Sequence, residues 1–152
     1  SEDIMDFWRP NYRKTPLVDG KYSALKYLHS LGHAWADYQV NEGRAFEDFA
    51  QFCYHLPFSR MGEKAHRHLA SLNAATVDSD KIKPGLAYSR QIGNCYSAAL
   101  YLSLISALES TDQDLTGKPI ALFSYGSGAV AEFFSGMVQP GYRAQLFTDR
   151  HQ

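Results

Sequence analysis

The sequence predicts an α/β fold, and three observations carry that prediction. Apolar residues recur at helical spacing in two long stretches. Two short apolar runs, each bounded by proline or glycine, lie between helical stretches. Helices alternate with buried strands along one chain, the pattern that layers helices on a sheet. With 152 residues, 45% of them hydrophobic and 20% charged, the chain suffices for one soluble domain with its own core. The 10 Tyr and 9 Phe residues predict a core or pocket rich in rings.

The elements follow in order. Residues 1–19 read as a loop, broken by Pro10 and Pro16 and closed by an Asp19-Gly20 turn. Tyr22, Leu25, Leu28, Leu31, Trp35 and Tyr38 step by three and four, which predicts an amphipathic helix ending near Asn41-Glu42-Gly43. Phe46 and Phe49 mark a short turn. Gln51 to Leu56, aromatic and stopped by Pro57, reads as a strand. Ser59 is a candidate cap for a helix with Met61, Ala65, Leu69 and Leu72 on one face. Residues 76–92, polar and holding Pro84-Gly85, read as a loop. Gly93-Asn94 opens a helix from Tyr96 to Ile105 that is apolar nearly all round, and so should be buried. After a turn at Gly117-Lys118-Pro119, Ile120 to Ser124 is a continuous apolar strand, buried on both faces. Gly126 and Gly128 make a bend, and Ala129 to Val138 returns as the last strand.

Charge narrows the partners. Net charge is −1, with no cluster of Lys and Arg of the kind that phosphate neutralisation needs, so nucleic acid is excluded as the main partner. No apolar run reaches membrane-spanning length, and the first ten residues lack the pattern of a signal peptide. Two cysteines, Cys53 and Cys95, do not make a disulfide framework, so a reducing cytoplasm is the expected compartment. No phosphate-binding glycine loop and no zinc pattern occurs in the sequence, and no bound cofactor or metal is expected.

Three constellations could carry chemistry. In Tyr54-His55-Leu56-Pro57-Phe58 a histidine ends a buried strand, where α/β proteins place their ligands. It reads either as a core histidine with a backbone partner or as a donor to a carbonyl oxygen. Gly93-Asn94 reads as a plain helix cap or as an amide aimed at a ligand. Ser124-Tyr125-Gly126-Ser127-Gly128 is too compressed for a hydrolase nucleophile elbow, and a strand follows where that motif needs a helix. A hairpin bend lining a pocket, with Ser127 or a backbone N–H touching substrate, fits better. His29 and His33 have metal-ligand spacing on a helix, but no H-E-x-x-H partner accompanies them, and they read as solvated. His66 and His68 face different ways. Cys53 and His55 share a strand face about 6–7 Å apart, a weak nucleophile pair. Cys95 reads as packed.

Taken in order, these motifs gain specificity. Asp6-Phe7-Trp8-Arg9-Pro10, Val18-Asp19-Gly20-Lys21-Tyr22-Ser23, His55-Leu56-Pro57-Phe58, Gly93-Asn94-Cys95-Tyr96 and Phe123-Ser124-Tyr125-Gly126-Ser127-Gly128 succeed one another. The succession resembles the 3-hydroxy-3-methylglutaryl-CoA synthase family from Asp6 to about Val138. The resemblance implies a thiolase-like fold of two similar halves, of which this would be the C-terminal one. Residues 1–19 would then be a linker from an N-terminal condensing half, and residues 20–152 a C-terminal domain incomplete at its end.

The implied chemistry is acyl transfer. A cysteine becomes acetylated, a glutamate removes a methyl proton, and the enolate attacks the β-keto carbon of a second thioester. His55 matches the histidine that hydrogen-bonds the β-keto oxygen, and Asn94 an asparagine that orients substrate. Ser127 matches a serine that binds the acyl chain, Asp6 an aspartate that tunes turnover, and Tyr96 and Tyr125 pocket tyrosines. The cysteine and glutamate belong to the half preceding Asp6, so this chain alone is expected to be inactive and the complete enzyme a dimer. Arg60 stands where coenzyme A-using members tend to have lysine. With Lys64-Ala65-His66-Arg67 it looks more like members of polyketide β-branching, whose acceptor rides on an acyl carrier protein through phosphopantetheine. The alternative from another class is a non-catalytic acyl-carrier docking module built on the same fold.

Overall fold

The computed structural model describes residues 1–41 and 43–150. Its centre is a three-stranded sheet in the order β3–β4–β5, with β3 (Gln51–Tyr54) parallel to β4 (Pro119–Gly126) and β5 (Val130–Met137) antiparallel to β4. Helices cover both faces. One face carries α1 (Gly20–Asn41) and α2 (Ser59–Leu72), and the other α4 (Ala99–Ser110), against which α3 (Lys83–Ile92) packs. The sheet is mixed and the architecture α/β, as the sequence predicts. Among the described residues no helix is long and apolar enough to cross a membrane.

Strand alternation divides the core in two. Phe52, Tyr54, Ala121 and Phe123 point to the α1 and α2 side, with Tyr27, Leu31, Trp35, Tyr38 and Phe49. Cys53, Ile120 and Leu122 point to the α4 side, with Leu100 and Ala107. All four residues of β3 are buried, which is why that segment reads as apolar without alternation.

Several elements differ from the sequence expectation. Residues 1–19 include two short strands, β1 (Phe7–Trp8) and β2 (Leu17–Val18), paired antiparallel. Ile4 and Asp6 are buried, so the segment is packed against the rest rather than trailing from it. Asp19 is the cap of α1: its Oδ1 accepts the Lys21 and Tyr22 N–H groups at 3.0 and 3.1 Å. Within α1 the buried face runs through Tyr27, Leu31, Ala34, Trp35 and Tyr38, whereas Leu25, about half a turn from Tyr27, is exposed. Ser59 is the first residue of α2 and Phe58 holds the cap position, with no side-chain bond. Leu72, expected on the buried face, is exposed.

The largest correction lies in residues 76–92, which hold the helix α3 and a short 3-10 turn at Ser79–Lys81 rather than a loop. Pro84 sits in the first turn of α3, where a missing N–H costs nothing. Gly85 is a packing requirement, because a Cβ there would stand 3.0 Å from Ser103 Oγ and 3.3 Å from its carbonyl oxygen. From α1 onward the order is therefore helix, strand, three helices, strand, strand. The next helix also starts later than expected: Tyr96–Ala98 is 3-10, and α4 begins at Ala99. It is buried on one face only, with Tyr101 exposed. Two buried serines lie on that face, and Ser106 Oγ donates to the Pro84 carbonyl at 2.5 Å while accepting the Tyr88 N–H at 3.2 Å. These bonds tie α3 to α4.

Candidate functional site

At the end of β3 the backbone of His55 is fixed from both sides. Its N–H donates to the Phe123 carbonyl at 2.8 Å, one rung beyond the strand. Its own carbonyl accepts the Tyr27 hydroxyl at 2.7 Å. Tyr27 is buried in α1, with its ring edge-on to Phe123 and 5.1 Å from the Tyr125 ring. The imidazole of His55 is half-buried and 6.3 Å from the same Tyr125 ring. Burial lowers its pKa, so it is a neutral ring with one N–H to give at pH 7.

Next to this histidine three hydroxyls converge on one carboxylate oxygen. Asp6, wholly buried, accepts at Oδ2 from Tyr125 at 3.0 Å, Ser127 at 3.2 Å and Ser23 at 3.4 Å. Its other oxygen, Oδ1, is buried without a hydrogen-bond partner among the described residues. Burial, and then the bond to Asp6, raises the Tyr125 pKa, so the phenol remains a donor. Ser127 sits in the hairpin turn between β4 and β5, where Gly128 has a φ of +119° that favours glycine. The hairpin bend expected from the sequence is therefore present. Asp6 is held in register because Glu2 exchanges both backbone bonds with Ala129, at 3.0 and 2.5 Å, and Ile4 N–H donates to Gly128 at 3.2 Å.

The structure joins Asp6, Tyr125 and Ser127 directly and sets His55 beside them. Asn94 and Tyr96 lie elsewhere, in the connection from α3 to α4. Gly93, at φ +85°, ends α3. Asn94 Oδ1 then accepts the Tyr96 N–H at 2.8 Å, which makes Asn94 a local cap in an exposed turn. Topology nevertheless brings this turn to the His55 end of the sheet. The chain leaves the C-terminus of α4 and enters β4 at Pro119, whose carbonyl accepts the Ala50 N–H beside the start of β3. The N-terminus of α4 therefore points to the opposite end, where β3 finishes in His55.

Arg60 is exposed on the first turn of α2, one and two turns before exposed Lys64 and Arg67. His66 leaves that basic run. It is buried against Phe46 and Phe52 and bonded through Nδ1 to the Tyr54 hydroxyl at 3.0 Å. Cys53 is no nucleophile: burial pushes its thiol up to about 12, only partly opposed by the Ser103 hydroxyl. Cys95 is half-buried, its thiol turned to the Gly93 carbonyl at 3.9 Å. Sequence reasoning missed Tyr27 as the support of the His55 backbone. The only signal was its spacing of four from Ser23, which places both on one side of α1.

Known proteins are similar to this chain in sequence and fold. The chain is 40% identical to a hydroxymethylglutaryl-CoA synthase of Enterococcus faecalis, over 99% of this chain and 40% of that protein. It is 35% identical to the polyketide biosynthesis 3-hydroxy-3-methylglutaryl-ACP synthase PksG of Bacillus subtilis, over 91% of this chain and 34% of that one. Among solved structures, an HMG-CoA synthase complexed with CoA superposes with a TM-score of 0.85 at 46% identity, over 99% of this chain and 40% of its own. The curacin-pathway HMG synthase in complex with an acetyl donor-ACP gives 0.86 at 34% identity, over 99% of this chain and 39% of its own. The chain thus spans about two fifths of the length of these relatives. Residues 63–149 match the family described as hydroxymethylglutaryl-coenzyme A synthase C terminal, so the chain belongs to the HMG-CoA synthase family and corresponds to the C-terminal part of its thiolase-like fold.

Proposed function

We propose that this chain is the C-terminal half of an enzyme that condenses an enzyme-held acetyl group with a β-ketoacyl thioester, giving a 3-hydroxy-3-methylglutaryl-type thioester. The observation that carries the reading is the backbone-clamped, neutral His55 beside the Asp6-centred hydroxyl cluster, in a chain of this family. His55 donates its N–H to the β-keto oxygen of the acceptor. That bond strengthens as the oxygen gains charge during attack, so it lowers the barrier more than it tightens binding. Asp6 accepts hydrogen bonds from the Tyr125 and Ser127 hydroxyls and so fixes the wall of the acyl pocket. Ser127 presents its remaining lone pairs and the turn its N–H groups to the acyl chain. Asn94 and Tyr96 close the pocket from the α4 side, and Arg60 holds a phosphate of the carrier arm.

The cysteine that carries the acetyl group and the glutamate that removes its proton come from an N-terminal half. Cys53, with its thiol pushed up to about 12, cannot replace the former. The chain alone therefore makes no condensation product, and the segment before α1 joins the two halves. Acetoacetyl-CoA is the first candidate acceptor, though identity does not decide it: proteins named for the coenzyme A reaction range from 26% to 46%, with the polyketide ones at 34–35% between them. The exposed series Arg60, Lys64 and Arg67 favours the second reading, an acceptor on an acidic acyl carrier protein.

The test is His55→Ala in the complete enzyme. Loss of one such donor should lower kcat by about 100- to 1,000-fold with KM little changed. An unchanged kcat would sink the assignment. Comparing the two acceptors on the wild-type enzyme decides between the readings, since the preferred carrier gives the higher kcat/KM.

A further inference from the structure

Three ligand-type side chains meet on the outer side of α1, away from the groups used above. His29 and His33 are one turn apart, with ring centroids 4.1 Å from each other. Glu2 reaches across from the N-terminal segment, its Oε1 3.9 Å from His29 Nδ1. The three ligand atoms lie within 4.8 Å of one another. We infer that Glu2, His29 and His33 form a binding site for a divalent transition cation of the zinc class, fastening the N-terminal segment to α1.

The chemistry of the donor set fits. Two imidazoles at a spacing of four on a helix share one face, and a carboxylate completes the nitrogen and oxygen set that zinc favours. Zinc bonds to such ligands are about 2.0–2.1 Å, which places tetrahedral ligand atoms roughly 3.3 Å apart, so closure needs side-chain movements on the order of 1 Å. All three residues are exposed and have the freedom to make them.

The glutamate is not carried by a loose end. Its backbone is bonded in both directions to Ala129, which fixes where its side chain starts. Its two oxygens are also divided. Oε2 faces Lys26 Nζ at 3.5 Å, which leaves Oε1 on the histidine side for a metal. Asp37, one turn beyond His33, lines a small cleft of about 60 Å³ together with Glu2 and His33. Its carboxylate is outside the cluster of three and leaves the fourth position to water. Three first ligands with an open fourth position describe an exchangeable site rather than a closed structural one. Sequence spacing gave only the histidine pair; the third ligand comes from a residue 27 positions away, and only the fold reveals it.

Occupancy has a mechanical meaning. Glu2 lies four residues before Asp6, and His29 lies about half a turn beyond the stretch of α1 that holds Ser23 and Tyr27. A cation there ties together the two segments that meet at Asp6.

The test is calorimetric titration of Zn²⁺ into the chain, free of any histidine tag and stripped with chelator. One Zn²⁺ per chain is expected. His29→Ala and His33→Ala should each weaken it by about tenfold or more, since losing a ligand costs at least as much as losing its outer-shell support. Glu63→Gln, whose carboxylate pairs with Arg90 on the far side of α2, should leave it unchanged. Zn²⁺ should also raise the Tm of the wild-type chain and not that of His33→Ala. Circular dichroism of the variants shows whether they are folded. Absence of stoichiometric binding, or wild-type affinity in either histidine variant, overturns the site.

Discussion

Replacing Asp6 by alanine removes the acceptor shared by three hydroxyls, and the structure says which of them matters. Tyr125 is 7% exposed, so its hydroxyl has no route to water once Asp6 is gone. A hydrogen bond to a charged acceptor contributes about 1.5–3 kcal/mol, and an orphaned buried donor costs about 1–3 kcal/mol. Ser127 is exposed and can turn its hydroxyl to solvent, and the Ser23 contact is long at 3.4 Å. Relief from burying a carboxylate offsets part of the loss. The expected costs are about 3 kcal/mol for Asp6→Ala, about 2 kcal/mol for Tyr125→Phe and under about 1 kcal/mol for Ser127→Ala. Because Asp6 and Tyr125 share one bond, the double variant should be little worse than Asp6→Ala alone. Urea unfolding followed by far-ultraviolet circular dichroism measures all four. Equal losses for Tyr125→Phe and Ser127→Ala, or full additivity of the Asp6 and Tyr125 changes, would refute the reasoning.

Other expectations follow from single features. Burial lowers the His66 pKa from 6.5 to about 4, so between those values the unfolded chain binds the proton and the folded one does not. Stability should be full above about pH 6.5 and decline as pH falls towards 4, by at most about 3 kcal/mol, and His66→Gln should lose that part of the slope in a pH series of urea melts. Native chain should expose one thiol to a disulfide reagent, Cys95, with Cys53 reacting only in urea; rapid modification of both would contradict the burial of Cys53. Gly62→Ala would place a Cβ 2.7 Å from Leu86 Cδ2 and 2.9 Å from Leu56 Cδ2, an overpacking expected to cost about 1–3 kcal/mol in the same melts.

Much of the fold was legible in the sequence because its signals are local. The run Ile120 to Phe123 is apolar without alternation, and that continuity is what a strand between two helical layers requires. The failure at α3 is equally instructive. Pro84-Gly85 looks like a breaker pair, yet proline is harmless in a first turn and glycine is demanded by the approach of α4, a contact 18 residues along the chain. At the candidate site, the hairpin bend could be read from two glycines around a serine. That Asp6 would receive that serine could not be read by spacing, since the bond spans 121 residues. Resemblance supplied what periodicity could not. It ordered His55, Asn94 and Ser127 into one set, whereas the bonds of the fold join Ser127 and Tyr125 to Asp6 beside His55 and give Asn94 a local partner in the α3–α4 turn.

The Asp6 contacts also set a timetable. The bonds from Tyr125 and Ser127 close loops of 119 and 121 residues, among the most non-local links in the chain. Contacts of such separation are reached only after local helices and the β4–β5 hairpin exist to receive them, because the entropy of closing the loop is lost before the bond returns anything. Asp6 is therefore expected to dock after the rate-limiting step of folding, so its removal should leave the refolding rate nearly unchanged while accelerating unfolding. At a loss of about 3 kcal/mol the unfolding rate should rise roughly 150-fold, so the same carboxylate that gathers the three hydroxyls would also govern how long the folded chain persists.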